Sequence, residues 1–267
     1  MVKSATRVIQ ILESVGARKN GISHAALSAA LNIPKGSLSL LLADLVAHDF
    51  LSLRKEDERR YVIGPQLLVI AGKYLTDQDI VQLGRPIVHE VMNTTDESSA
   101  LAIRKGNEML IVYGENCSQP LKRAVEIGYL APLYTTAGGK AILAHLSGEE
   151  IDQYLSLVKL IPKTRATITD SKKLLKELKA IRFEKIAYSR EERYEGLISM
   201  AAPVFNLFGS VLAAIVVTLP TIRFNRKSEE RVKKTLHEAS EKLSRQLGFN
   251  PNTKERKQGL VPNMGGL

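Results

Sequence analysis

The sequence predicts two parts of different class: a small, mainly α winged helix-turn-helix at the N-terminus, then a larger α+β domain with an antiparallel sheet. Three observations predict it. Ser23 to Asp49 reads as two short helices joined by a tight turn, with a basic, β-rich hairpin pattern directly after it. Beyond residue 79 the pattern runs helix, strands, helices, strands and a closing helix, the order of an α+β domain and not of a doubly wound one. A length of 267 residues suits two domains, and a hydrophobic fraction of 44% is ample for two cores.

The elements follow in order. Thr6 to Ala17 puts Val8, Ile9, Leu12 and Val15 on one face and reads as a helix that packs on the two behind it. Ser23 is the N-cap of the next helix, which carries Ala26, Leu27, Ala30 and Leu31. Asn32 and Ile33 form the turn, and Pro34 suits the first position of a new helix because its missing N–H costs nothing there. At 100° per residue Leu38, Leu41, Leu42, Leu45 and Val46 make one apolar stripe, and Gly36, Leu40, Ala43 and Ala47 turn away from it.

A helix that enters the major groove needs an outer face free of bulk near its N-terminus, so Lys35, Gly36, Ser37, Ser39 and Leu40 are the candidate DNA-reading residues. By themselves these residues suit an ordinary helical hairpin equally well. The flanking chain decides. Phe50 to Arg54, a polar turn over Lys55 to Glu58 and Arg59 to Ile63 read as a two-stranded ribbon, and a helix-turn-helix followed by a basic hairpin is a winged helix. Arg59 and Arg60, beside the ribbon turn, are placed to meet phosphate.

Gly64-Pro65 ends the ribbon, and residues 65 to 78 suit a linker helix, which transmits orientation where a flexible linker would not. The predicted boundaries are therefore 1–64 for the DNA-binding unit, 65–78 for the linker and 79–250 for the second domain. The polar, aperiodic stretch 251–267 reads as a disordered tail. Within the second domain the expected elements are a helix from Ile80 to Met92 and strands over Ser98–Arg104, Glu108–Gly114 and Leu121–Ile127. Helices over Lys140–Leu146, Glu149–Val158 and Ser171–Arg182 follow, then strands Met200–Phe205 and Ser210–Leu219 and a last helix from Ser228 to Leu247.

A net charge of +10 and a sequence pI near 9.6 are compatible with a polyanionic partner, but the excess is spread along the chain and decides nothing. One cysteine, Cys117, excludes an intrachain disulfide and a cysteine zinc cluster and points to a reducing compartment, the cytoplasm. The most apolar run, Val211 to Leu219, is too short to span a bilayer, so no membrane is expected. The five histidines have no paired metal spacing, and no Ser-His-Asp or paired-carboxylate motif stands out. No metal, cofactor or catalytic residue is therefore expected. Glu191-Glu192-Arg193 reads as an exposed loop.

The pieces TRVIQILESV, LSAALNIPKGSLSLLLADL and YVIGPQLLVIAG in the N-terminal part resemble the IclR family of bacterial transcriptional regulators. More specific are GRPIVHEVM, LKRAVEIGYLAPLYTTAGGKAILA, TITD and YEGLISMAAPVFNLFGSVLAAIVVTLP, and the resemblance covers about Lys3 to Gly248. It implies a GAF- and PAS-like effector-binding second domain, homodimers or homotetramers on palindromic double-stranded operator DNA, and a small-molecule effector, often an organic or aromatic acid. The family's pocket turn matches Thr136, Ala137, Gly139 and Lys140, and its later motif matches Glu195, Gly196, Ala201, Ala202 and Pro203. Ser199 stands where a pocket cysteine is common, Ser189 where an acidic residue is common, and Val216 and Thr218 at two commonly hydroxylic positions. Leu40 stands where the recognition helix commonly has arginine.

The implied ligand-binding residues are thus Thr136, Ala137, Gly139, Lys140, Ser189, Ser199 and Thr218. Each has a plainer reading. TTAGGKA either cradles an anion on backbone N–H groups or keeps its glycines for a tight turn; it lacks the spacing of a P-loop. Ser199 and Thr218 either orient a ligand or bond to nearby backbone as core hydroxyls. The rival to a ligand-responsive regulator is an enzyme acting on a small acid, with the N-terminal module serving for oligomerisation.

Overall fold

The computed structural model describes residues 2–18, 20–54, 60–70 and 79–250. The chain divides into two units, Met1–Gln78 and Asp79–Leu267.

The first unit comprises α1 (Lys3–Gly16), β1 (Ile22–Ser23), α2 (His24–Leu31), α3 (Lys35–Ala47), β2 (Leu51–Arg54) and β3 (Arg60–Ile63). Ser23 caps α2, its side chain accepting from the Ala26 N–H at 3.3 Å, and Asn32 makes the turn in the left-handed region at φ 49°. Pro34 is the N-cap of α3, one position earlier than the spacing suggests, because its φ of −54° combines with an extended ψ of 136°. Leu38, Leu42 and Leu45 are buried among Ile11, Val15, Leu27 and Leu51, with Leu41 and Val46 packed at the edge. The ribbon gains an unexpected third strand: β1, only two residues long, pairs with β3 through Ile22 opposite Tyr61 and Ser23 opposite Arg60. Residues 65–70 are helical, whereas the polar turn 55–58, Arg59, the rest of the expected linker helix and the tail 251–267 lie outside the described residues.

The second unit is built on a six-stranded antiparallel sheet. Its strands are β4 (Ser98–Lys105), β5 (Glu108–Glu115), β6 (Leu130–Pro132), β7 (Ala187–Arg190), β8 (Leu197–Phe205) and β9 (Val211–Pro220), in the order β6-β5-β4-β9-β8-β7. Two helices cover one face, α4 (Asp79–Thr95) and α8 (Arg226–Gln246). Gly84 lets α4 come down on the sheet, since a Cβ there would lie 2.8 Å from Leu101, with Leu243 of α8 next to it. The other face carries α5 (Ala137–Leu143), with α6 (Gly148–Leu157) and α7 (Ser171–Glu184) outside it. Leu133, Ile142, Tyr154, Leu174 and Leu178 share a core there with Ala201 and Ala214 of the sheet.

Three expectations are corrected. Leu121–Ile127 is no strand: the Val125 N–H is taken by the Asn116 side chain at 2.8 Å and Val125 packs against Gly114, so the segment crosses the sheet face instead of joining the ladder. The strand on that side is the short β6, paired through Pro132 opposite Glu108. The helix expected from Lys140 begins at Ala137, where Thr136 caps it. The edge strand β7, four residues long, lies in a stretch where no strand was expected.

Candidate functional site

A cavity opens in the second unit between the sheet face beneath the start of α5, the crossing segment 123–129 and the loop before β8. Its volume is about 90 Å³, counted as space open to the centre of a water-sized sphere. By that measure it has room for roughly six to nine such centres, the scale of a small organic molecule.

Register assembles its polar floor. Ser98 on β4 lies opposite Thr218 on β9, Thr218 opposite Ser199 on β8, and Ser199 opposite Ser189 on β7. Cross-strand partners project to the same face. The four therefore form one row of hydroxyls across four neighbouring strands, and all four line the cavity. Ser199 Oγ and Thr218 Oγ1 are 2.8 Å apart, Ser189 Oγ donates to the Thr135 carbonyl at 2.9 Å, and Ser98 Oγ accepts from the Cys117 N–H at 3.4 Å. In the Ser199–Thr218 pair one hydroxyl donates to the other, which leaves one O–H and several lone pairs for a bound molecule. Ala100, Met109, Ile111, Val125, Leu197 and Val216 supply an apolar wall.

Of the turn residues expected here, Thr136 and Ala137 line the cavity, joined by Gly138, which the motif reading left aside. Gly139 and Lys140 do not, and both assignments are corrected. A Cβ on Gly139 would stand 2.3 Å from the Leu133 carbonyl oxygen, so this glycine serves a close backbone approach. Lys140 has 0% exposure and points away: its Nζ lies 2.5 Å from Glu177 Oε1 and 2.6 Å from Glu192 Oε1. The run Glu191-Glu192-Arg193 is likewise no exposed loop, since Glu192 is buried beneath it as the partner of Lys140. Burial pushes the Glu192 carboxyl above its ordinary range even against the attraction of Lys140.

At the mouth stand four residues that sequence reasoning missed: Arg123, Tyr129, Arg193 and Tyr194. The two phenol oxygens are 2.9 Å apart, and Arg193 Nε donates to the Tyr129 oxygen at 3.1 Å. The Arg123 guanidinium sits over both rings, 5.2 Å from the centroid of Tyr129 and 4.7 Å from that of Tyr194, and Arg193 lies 5.5 Å from the Tyr194 centroid. Burial pushes the Tyr129 phenol up. Burial also acts upward on Tyr194, but the hydrogen bond with Tyr129 and the charges of Arg123 and Arg193 outweigh it and hold that phenol below its ordinary value. Arg123, Tyr129 and Tyr194 lie within the pieces that carry the family resemblance, but nothing local says that they meet. Segments about 65 positions apart in sequence meet here only because of the sheet topology.

In the first unit Lys35, Gly36, Ser37, Ser39 and Leu40 are all exposed at the start of α3, and Leu40 is 73% exposed. A Cβ on Gly36 would meet nothing within 4 Å. Ser39 is partly engaged inside the unit: its Oγ donates to the Lys35 carbonyl at 2.9 Å and lies 3.0 Å from His24 Nε2. Arg60 is exposed on β3, opposite Arg54. Among the described residues no group of three His, Cys, Asp or Glu side chains is placed to hold a metal, and no single helix is long and apolar enough to cross a membrane.

Comparison with known proteins matches both units. Residues 72–245 match the family described as Bacterial transcriptional regulator IclR C-terminal, and residues 4–54 the IclR helix-turn-helix domain. The regulator KdgR of Escherichia coli strain K12 is 28% identical over 250 residues, covering 93% of this chain and 94% of KdgR. The regulator KipR of Bacillus subtilis strain 168 is 30% identical over 234 residues, covering 86% and 92%. Among solved structures, the Thermotoga maritima IclR has 27% sequence identity and a TM-score of 0.77, over 93% of this chain and 100% of that one. Both curated relatives are named as transcriptional regulators.

Proposed function

Because this chain belongs to the IclR family of bacterial transcriptional regulators, we propose that it is a DNA-binding regulator whose operator affinity is set by a small organic acid in the cavity of the second unit. The observation that carries this reading is the hydroxyl row: four strands each contribute one hydroxyl to a cavity whose walls are otherwise largely apolar. A few convergent polar groups in an apolar pocket are what a small-molecule site requires. Thr136, Ala137, Ser189, Ser199 and Thr218 are the proposed contacts, with Gly139 and Lys140 supporting the turn from behind. DNA contact is assigned to Lys35, Gly36, Ser37 and Leu40 of α3, with Ser39 held by its bonds inside the unit, and to Arg59 and Arg60 of the ribbon. The operator is palindromic and the protein a homodimer or homotetramer, since two-fold symmetry in protein and site go together.

The test is a thermal-shift screen of carboxylic and aromatic acids on the full chain, followed by operator binding with and without each hit. A saturable ligand that shifts DNA affinity and is recovered unchanged supports the reading. A ligand that is consumed, or a screen in which every hit leaves DNA affinity unaltered, overturns it.

A further inference from the structure

We propose that Arg123 and Arg193 are the acid-selecting element of the cavity. A carboxylate is held at the mouth between the two guanidiniums, while the uncharged oxygens of the same ligand reach inward to the hydroxyl row. The proposal rests on the cavity being the effector site and adds which end of the effector is read by which residues.

Convergence of charge is the first argument. Both guanidinium carbons lie within 5.5 Å of the centroid of a single ring, Tyr194, so two like charges crowd one rim. Several arginines of this unit are matched by carboxylates, Arg104 by Glu150, Arg190 by Glu229 and Arg223 by Glu97, and others by backbone carbonyls, as Arg182 is by Ala144 and Leu146. Among the described residues Arg123 and Arg193 have no carboxylate within ion-pair distance. Glu126, the sole acidic residue on the cavity lining, pairs with neither. Two neighbouring cations left uncompensated at a concave, part-buried rim create a positive potential that an anion relieves.

Geometry is the second. Contact with the tyrosine rings restrains both guanidiniums, and Arg123, which makes no hydrogen bond among the described residues, keeps N–H groups free for a carboxylate in a two-bond fork. Arg193 spends Nε on Tyr129 and is engaged by the Tyr194 hydroxyl as well, whereas Arg123 makes ring contacts alone among the described residues. The competing anion site, the start of α5, is weaker: the helix is seven residues long and its Gly139 N–H is already taken by Thr136 Oγ1 at 3.1 Å. Both arginines sit on segments that the Tyr129–Tyr194 bond joins across the mouth, so a bound carboxylate would also tie these segments together.

The experiment uses the full chain with two matched pairs of probes, benzoate against benzamide and lactate against lactamide, each titrated to millimolar concentration by calorimetry or ligand-observed NMR. The parent is compared with Arg123→Gln, Arg193→Gln and Arg193→Lys. Arg123 contributes no hydrogen bond or ion pair to the fold among the described residues, only its two ring contacts, so its variant disturbs the cavity less than those at Arg193. Circular dichroism and unliganded DNA affinity check all variants. The expected result is that the parent prefers acid to amide by about ten-fold or more, that either glutamine variant removes most of that preference, and that amide affinity is unchanged. Arg193→Lys, with charge but no fork, restores only part of it. Equal binding of acid and amide by the parent overturns acid selection while leaving the cavity as an effector site. A preference that survives both glutamine variants moves the selection to other groups and overturns the assignment. Absence of saturable binding by every probe overturns the arginine clamp, and the broader screen with its DNA readout decides the effector reading separately.

Discussion

α3 in the first unit and α5 in the second both carry glycine in their first turn, and the glycines do opposite things. At the start of α3, Gly36 keeps a surface empty: a side chain there would touch nothing of the protein itself. At the start of α5, Gly139 lets backbone meet backbone, and Gly138 next to it leaves only the room that Met109 and Val216 do not fill, a Cβ there lying 2.8 Å from each. One glycine leaves a surface open, and the other serves packing that is already complete. Read from sequence, the two look alike. They differ in what lies on the far side, and that is a property of topology.

The largest expected effect tests how complete the packing around α5 is. Lys140→Met removes the cation between Glu177 and Glu192 and leaves a buried carboxylate unpaired, which costs about 3 to 5 kcal/mol. Chemical denaturation of the variant should show this loss in the second unit. The sign with pH follows from Glu192, whose folded-state pKa is already raised by burial and rises further without Lys140. A carboxyl raised on folding contributes stability that is fully present below its unfolded value and is lost as pH climbs through the folded one. The deficit of the variant against the parent should therefore shrink as the pH is lowered towards the carboxylate range, and a deficit independent of pH would place the damage elsewhere.

Next in size is the comparison itself. Gly139→Ala forces a methyl group onto the Leu133 carbonyl and should cost about 1 to 3 kcal/mol, as overpacking against rigid backbone does. Gly36→Ala should leave stability unchanged or raise it by a few tenths of a kcal/mol, because alanine is the better helix former. Its effect belongs instead to DNA affinity, measured by fluorescence anisotropy. If both variants lose stability alike, the contrast between the helices fails.

Much of the fold was legible because periodicity and capping are local. The N-cap Ser23, the turn at Asn32, the stripe on α3 and the hairpin of β8 and β9 each declare themselves within a dozen residues. Leu121–Ile127 misled because its β-rich composition says nothing about whether a neighbouring strand has a free edge; here Asn116 takes a ladder donor first. The site divided in the same way. Ser189, Ser199, Thr218, Thr136 and Ala137 were found through motif matching and do line the cavity. Arg123 and Arg193 were not, since only the crossing segment and the loop before β8, brought together by the sheet, make them neighbours. Lys140 matches the family's pocket turn in sequence, but the turn's position says nothing of the carboxylates of Glu177 and Glu192 that hold its side chain away from the cavity.

A smaller effect sharpens the hydroxyl row. Ser199→Val nearly conserves volume and removes one partner of Thr218, so an effector that bonds there should bind about ten-fold more weakly, near 1.4 kcal/mol, while unliganded DNA binding persists. An identified effector that binds the variant as tightly as the parent would make Ser199 a core hydroxyl only. Smallest is the test of the empty face. Leu40, exposed and opposite the apolar stripe, is expected to cover a thymine methyl, worth about 1 kcal/mol at one base step. Replacing operator thymines one at a time by deoxyuridine should reveal one position whose penalty vanishes in Leu40→Ala. If every position behaves the same in parent and variant, α3 reads DNA by other contacts.

The hydroxyl row has a consequence for how such a sensor diversifies. Each of Ser98, Thr218, Ser199 and Ser189 belongs to a different strand, and the strands are held by backbone ladders that do not depend on which side chain each residue bears. The groups that brace the surrounding architecture, Gly139, Lys140 and Glu192, lie outside the row. A lineage can therefore exchange one hydroxyl at a time for another small side chain, and so change the chemical signal that is read, with the backbone ladders left in place.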